Sequence, residues 1–127
     1  MSRINIPSES GYEPKYGFSR AVRIGDRILV SGTAPIWPGG EVDPDPQVQA
    51  HRCIEIGLSA LAVAGGLASD VVRTRMFITN AEDADLIGEV HGEVFSEVKP
   101  VATMVVVAGL LDPRWKVEME LEAVLTG

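Results

Sequence analysis

The chain has 127 residues, of which 46% are hydrophobic and 23% charged, and a formal net charge of −7. That length suits one domain with its own core, and that charge disfavours a nucleic-acid partner, which needs concentrated Lys and Arg. A single cysteine (Cys53) excludes an internal disulfide, and no apolar run reaches membrane-span or signal-peptide length, so a cytoplasmic chain without a membrane partner is expected.

Residues 1–16, with Pro7, Gly11 and Pro14 among polar neighbours, read as an irregular arm. Phe18 to Ile24 and Arg27 to Gly32 read as two short strands joined by Gly25-Asp26, a two-residue hairpin turn. Residues 33–46 are rich in Pro and Gly and loop around Trp37. Asp45 and Pro46 then supply an N-cap and a first helical residue. Ala50, Cys53, Ile54, Gly57, Leu58 and Leu61 recur at helical spacing, and Gly65-Gly66 stops the helix. From Val71 to Thr79 the pattern alternates. Val72, Thr74, Met76 and Ile78 fall on one face, opposite Val71, Arg73, Arg75 and Phe77. A second helix over roughly 82–98 carries Ile87, Val90, His91, Val94, Phe95 and Val98 on one stripe and ends before Pro100.

The C-terminal third holds two contrasting runs. Residues 101–108 carry no charge and are apolar on both sides, the pattern of a strand covered on both faces. Residues 117–125 alternate, with Val117, Met119, Leu121 and Ala123 opposite Glu118, Glu120 and Glu122. The order of elements predicts a mixed α+β sheet with the 71–79 and 101–108 strands parallel, the hairpins antiparallel and two helices on one face. The chain offers nothing to cover the second face, which points to another copy of itself. No phosphate loop, HExxH pattern or CxxC pair is present.

In order along the chain, Ala21-Val22 through Val30-Ser31-Gly32, Ala64-Gly65-Gly66, Phe77-Ile78-Thr79, Lys99-Pro100 and Glu120-Leu121-Glu122-Ala123 resemble the YjgF (reactive intermediate deaminase, Rid) family. That family has also carried the label of endoribonuclease-like translation inhibitors. The resemblance implies a chorismate-mutase-like α+β fold and a homotrimer. Its sheets form a central barrel, and a small-molecule cleft lies at each subunit interface. It further implies hydrolysis of enamine and imine metabolites such as 2-aminoacrylate to 2-keto acids and ammonia, with no metal or organic cofactor. The family's carboxylate-binding Arg stands two residues after the proline, where this chain has Ala102. A methyl group cannot make the bidentate contact of a guanidinium. Phe18 stands where the deaminases usually have Tyr, and Met104 where they have Cys, while the water-positioning Glu is kept as Glu120.

The candidate set is therefore Glu120 as catalytic residue, with Phe18, Ser31, Gly32, Arg75, Ala102 and Met104 around the substrate. Against this, the three glutamates also fit the wet face of a strand. Arg73 and Arg75 fit surface residues, Arg75 alternatively supplying the charge lost at Ala102. His91 and Cys53 fit core filling and His51 a surface position, while Trp37 and Trp115 suit either loop packing or an interface. Ser31-Gly32 marks a strand end that something approaches closely. Three functions remain open: an imine hydrolase, a metabolite-binding module without turnover, and, disfavoured by charge, a nuclease or translation inhibitor.

Overall fold

A computed structural model describes residues 2–7 and 12–126; Gly11 of the expected arm lies outside the described residues. Strands β1 (Arg3–Ile6), β2 (Ala21–Ile24), β3 (Arg27–Thr33), β4 (Val71–Ile78), β5 (Val101–Val106) and β6 (Val117–Val124) form one sheet in the order β1-β2-β3-β6-β4-β5. The α-helices among the described residues are α1 (Tyr12–Tyr16), α2 (Pro46–Val63) and α3 (Ala84–Phe95). The fold is the expected mixed α+β sheet. Only β4 and β5 are parallel, linked by the crossover through α3; every other pairing is antiparallel.

The described residues among the first sixteen are more regular than their composition suggests. β1 pairs with β2, and Arg20 N donates to Ile6 O at 2.8 Å, so backbone pairing overrides weak strand propensity. β2 begins at Ala21, leaving Phe18 in the connection before it.

Helix α2 starts as the sequence predicts. The Asp45 carboxylate accepts from Gln47 N at 2.7 Å and Val48 N at 3.3 Å, satisfying two orphan donors. Gly65 ends it in the left-handed region at φ +100°, where an L side chain would be strained. Its inner stripe packs on β3 and β6. Gly57 permits this contact, because a Cβ there would meet Leu121 Cδ1 at 2.9 Å. Gln49 is also buried, and its amide is satisfied. Nε2 donates to Asp43 O and Arg114 O, while Oε1 accepts from Lys116 N at 2.7 Å.

Helix α3 is shorter than its periodicity suggests. It ends at Phe95, and Lys99 adopts φ 54° ahead of Pro100.

One strand expectation needs correction. In β4, Val71 pairs with Ala123 and Arg73 with Glu122, so one extra residue is accommodated there. The shift buries Val71 and turns Val72 outward, the reverse of simple alternation. In addition, β5 and β6 are not neighbours, because β6 runs between β3 and β4. β5 is instead an edge strand, exposed along both faces within one chain except at Met104. Val101 is 58% exposed and Val106 56%.

Candidate functional site

Helix α2 covers one side of the sheet, and the other side is open. On β6 the division is sharp. Val117, Met119, Leu121 and Ala123 are buried beneath the helices, while Glu118, Glu120 and Glu122 stand half-buried on the open face. Cross-strand register lays β4 charges beside them, Arg73 opposite Glu122 and Arg75 opposite Glu120. Arg75 Nη1 lies 3.3 Å from Glu120 Oε1. Arg73 Nε lies 3.7 Å from Glu122 Oε2, and Arg27 pairs with the same carboxylate from β3.

A cleft of about 420 Å³ opens over this ladder, with Phe18, Ser31, Arg75 and Glu120 among its lining residues. The fold thus gathers four of the seven predicted site residues in one hollow. Arg3, Asn5 and Arg73 join them there, which sequence reading did not single out as site residues. β1 supplies the first two, and the expected irregular arm hid them.

The register between Val30 and Thr33 slips opposite Glu120, so Ser31 and Gly32 form a β-bulge at that point. Bulges commonly re-aim a side chain beside a site. Gly32 makes room locally: a Cβ there would meet Glu118 Oε1 at 3.3 Å, a tight contact. The group that approaches this strand end is thus the chain's own carboxylate. Burial raises the Glu118 carboxyl above its ordinary value; nearby Arg20 opposes the rise and Glu120 adds to it.

Arg20 is a second missed residue. Its Nη2 donates to Ser31 O at 2.8 Å, to Gly32 O at 2.7 Å and to Ser31 Oγ, which pins the bulge from β2's leading end. Burial pulls its guanidinium below the usual value, against the pull of Glu13 and Glu118. Its sole sequence signal was a charge directly before a buried Ala21.

Ala102 and Met104 do not reach this cleft. Parallel pairing sets them beside Thr74 and Met76, on the helix side of β5, and Met104 packs against the core. There His91 Nε2 lies 2.8 Å from Thr74 Oγ1 and its ring 4.8 Å from that of Phe95; burial lowers its pKa. Cys53 is buried, 3.7 Å from Val117 O, and burial pushes its thiol well up, so it is no nucleophile. His51 lies on the surface beside Glu93. Trp37 lies under the Arg52 guanidinium, and the Trp115 indole N–H is buried without a hydrogen-bond partner among the described residues. No group of three or more His, Cys, Asp or Glu among the described residues is arranged to hold a metal, and no helix there is long and apolar enough to cross a membrane.

Both Arg75 and Glu120 keep much of their side-chain surface in water (48% and 38% exposed), so their ion pair is worth only ~0–1 kcal/mol. Exchanging this pair for other partners therefore costs little.

Comparison with known proteins agrees with this architecture. The profile of the family described as Endoribonuclease L-PSP matches residues 9–125. A crystal structure of a YjgF/YER057c/UK114 family member from Mycobacterium tuberculosis superposes with a TM-score of 0.90 at 36% identity, covering 98% of this chain and 100% of that one. An uncharacterized protein of Streptomyces coelicolor is 37% identical over 93% of this chain and 89% of its own length. TdcF of Escherichia coli, named as a reactive intermediate deaminase, is 34% identical over 84% of each chain. Its crystal structure with bound serine superposes with a TM-score of 0.83 at 29% identity, covering 96% of this chain and 94% of that one. With nearly the whole chain matched in sequence and in fold, this protein belongs to the endoribonuclease L-PSP, or YjgF/Rid, family.

Proposed function

We propose that the open-face cleft binds a small carboxylate-bearing metabolite and hydrolyses an imine-like or related carbonyl group in it. Glu120 orients the water, and Arg75, beside it on the open face, holds the carboxylate; Ala102, on the other side of the sheet, leaves the family's own carboxylate contact absent. The observation that carries this reading is the weak Arg75–Glu120 pair, 3.3 Å apart beside a cleft that also holds Ser31 and Phe18. TdcF, with its bound serine, supports an amino-acid-sized ligand in this fold. No metal or organic cofactor is part of the proposal.

The working form is a homotrimer in which neighbouring copies cover β5 and close the cleft. Its support is an edge strand whose Val101, Val105 and Val106 are all exposed within one chain. Sedimentation at micromolar concentration should give a trimer mass; a monomer mass rejects this form.

Standard deamination of 2-aminoacrylate should be slow. Ala102 cannot supply a charge-assisted contact worth roughly 1.5–3 kcal/mol, so the rate should fall about 10- to 150-fold below that of an Arg-bearing relative. Coupled generation of 2-aminoacrylate with the purified protein tests this, and a rate equal to such a relative's rejects the residue roles. Glu120→Gln should abolish turnover and leave the oligomer intact.

The same Ala102 favours a second reading, a metabolite-binding module without turnover. Saturable binding of a 2-keto acid with no hydrolysis of any imine offered would select it. Cleavage of RNA is disfavoured by the net charge of −7, since phosphate binding needs concentrated Lys and Arg.

A further inference from the structure

A second hollow, of about 600 Å³, lies away from the Glu120 cleft, bounded by α2, the loop before it and the end of β1. Its walls are apolar: Ile36, Trp37 and Pro38 come from the loop, Ile56 and Val63 from α2, and Ile6 from β1. Ile36 is 44% exposed and Val63 71%, so this surface lies open within the chain.

Two arginines line the same hollow. Arg52 fastens the loop wall to the helix. Its Nε donates to Ile36 O at 2.6 Å, and its guanidinium lies 6.0 Å from the Trp37 ring centroid. Arg20 enters from the sheet side with its Nη2 committed to Ser31 and Gly32. Its Nε, by contrast, is buried and has no hydrogen-bond partner among the described residues. A buried N–H without an acceptor is costly, and native proteins rarely leave one so.

We propose that this hollow is a second ligand site, taking a small carboxylate with an aromatic or branched aliphatic body. The apolar walls take the body, with Trp37 as a flat platform. The two guanidiniums take the carboxylate, and a small swing of Arg20 gives its Nε the acceptor it lacks. Arg52 is paired with Glu55, and Arg20 feels Glu13 and Glu118, so the anion is selected by the buried Arg20 Nε, a donor in want of an acceptor, and not by net charge. The volume falls within the range of small-molecule sites. The site does not depend on the role proposed for Glu120.

The test is titration of the full chain with 3-phenylpropionate, followed by tryptophan fluorescence and by amide shifts. Saturable binding is expected, with shifts in the 36–38 loop and along 52–63. The neutral 3-phenylpropanamide should bind about tenfold or more weaker, as should Arg20→Met, because each removes a charge-assisted contact. Val63→Glu alters an exposed position, so the fold is kept while a like charge enters the groove wall, and binding should again weaken. Glu120→Gln should bind the probe unchanged, which separates this site from the cleft. The proposal is overturned by absence of saturation, by shifts confined to Ser31 and its cleft neighbours, by equal binding of acid and amide, or by full binding in Val63→Glu.

Discussion

The two faces of β6 obey different rules although they alternate residue by residue along one strand. Its helix-side residues, Val117, Met119, Leu121 and Ala123, are all at most 4% exposed and belong to the hydrophobic core. Of its open-side residues, Glu120 and Glu122 are each paired with an arginine, and half-buried Glu118 feels both Arg20 and Glu120. The first face is complete within one chain. The second is a ladder of cheap, exchangeable charge pairs that gains its meaning from what later lies on it. Stability should therefore reside on one side and function on the other.

The strongest way to break that contrast is to truncate neighbours on opposite faces. Met119→Ala leaves a cavity under α2 and should cost about 2–5 kcal/mol in urea unfolding. Glu120→Gln, one residue along, should cost less than about 1 kcal/mol, since its ion pair is largely in water. Equal losses would mean that the open face is structural, and the separation of roles would be lost.

A second test concerns how tightly the closed face is sealed. Cys53 is 1% exposed, and burial holds its thiol in the unreactive protonated form. Its reaction with a water-soluble disulfide reagent should be suppressed by several orders of magnitude in the folded protein, and released at the urea concentration where the fold melts. Fast reaction without denaturant would show that α2 lifts from the sheet far below the global unfolding energy.

The same contrast explains what the sequence made legible. Period-two alternation in 117–125, helical spacing in 46–64 and the Asp45 cap are local patterns with local causes, and the fold follows them closely. The site was half legible. Glu120 and Arg75 were visible as charges in otherwise apolar strands, but the pairing that joins them depends on β6 running between β3 and β4, a long-range choice. The bulge at Ser31-Gly32 was invisible for the same reason, since it exists only relative to a partner strand. Arg20 was missed because its importance lies in three acceptors eleven and twelve positions away. The double apolarity of 101–108 was read correctly as a pattern, yet within one chain it marks an uncovered edge.

The smallest expected effect is a pH dependence, and it sharpens the contrast further. Burial raises the folded-state pKa of Glu118 above 4.5, with Arg20 holding the rise back. A carboxyl raised on folding contributes stability that is fully present below 4.5 and is lost as pH rises through the raised value. Glu118→Gln cannot titrate, so relative to the wild type the variant should gain stability between pH 4.5 and neutrality. The gain should be modest, because the glutamine also gives up the attraction to Arg20 that partly compensates the buried charge. If copies of the chain cover the open face, further desolvation should enlarge the difference as protein concentration rises, while a monomer would show none of that dependence. Parallel pH curves for wild type and variant at every concentration would refute the burial of Glu118 and, with it, the idea that the open face is prepared to be covered.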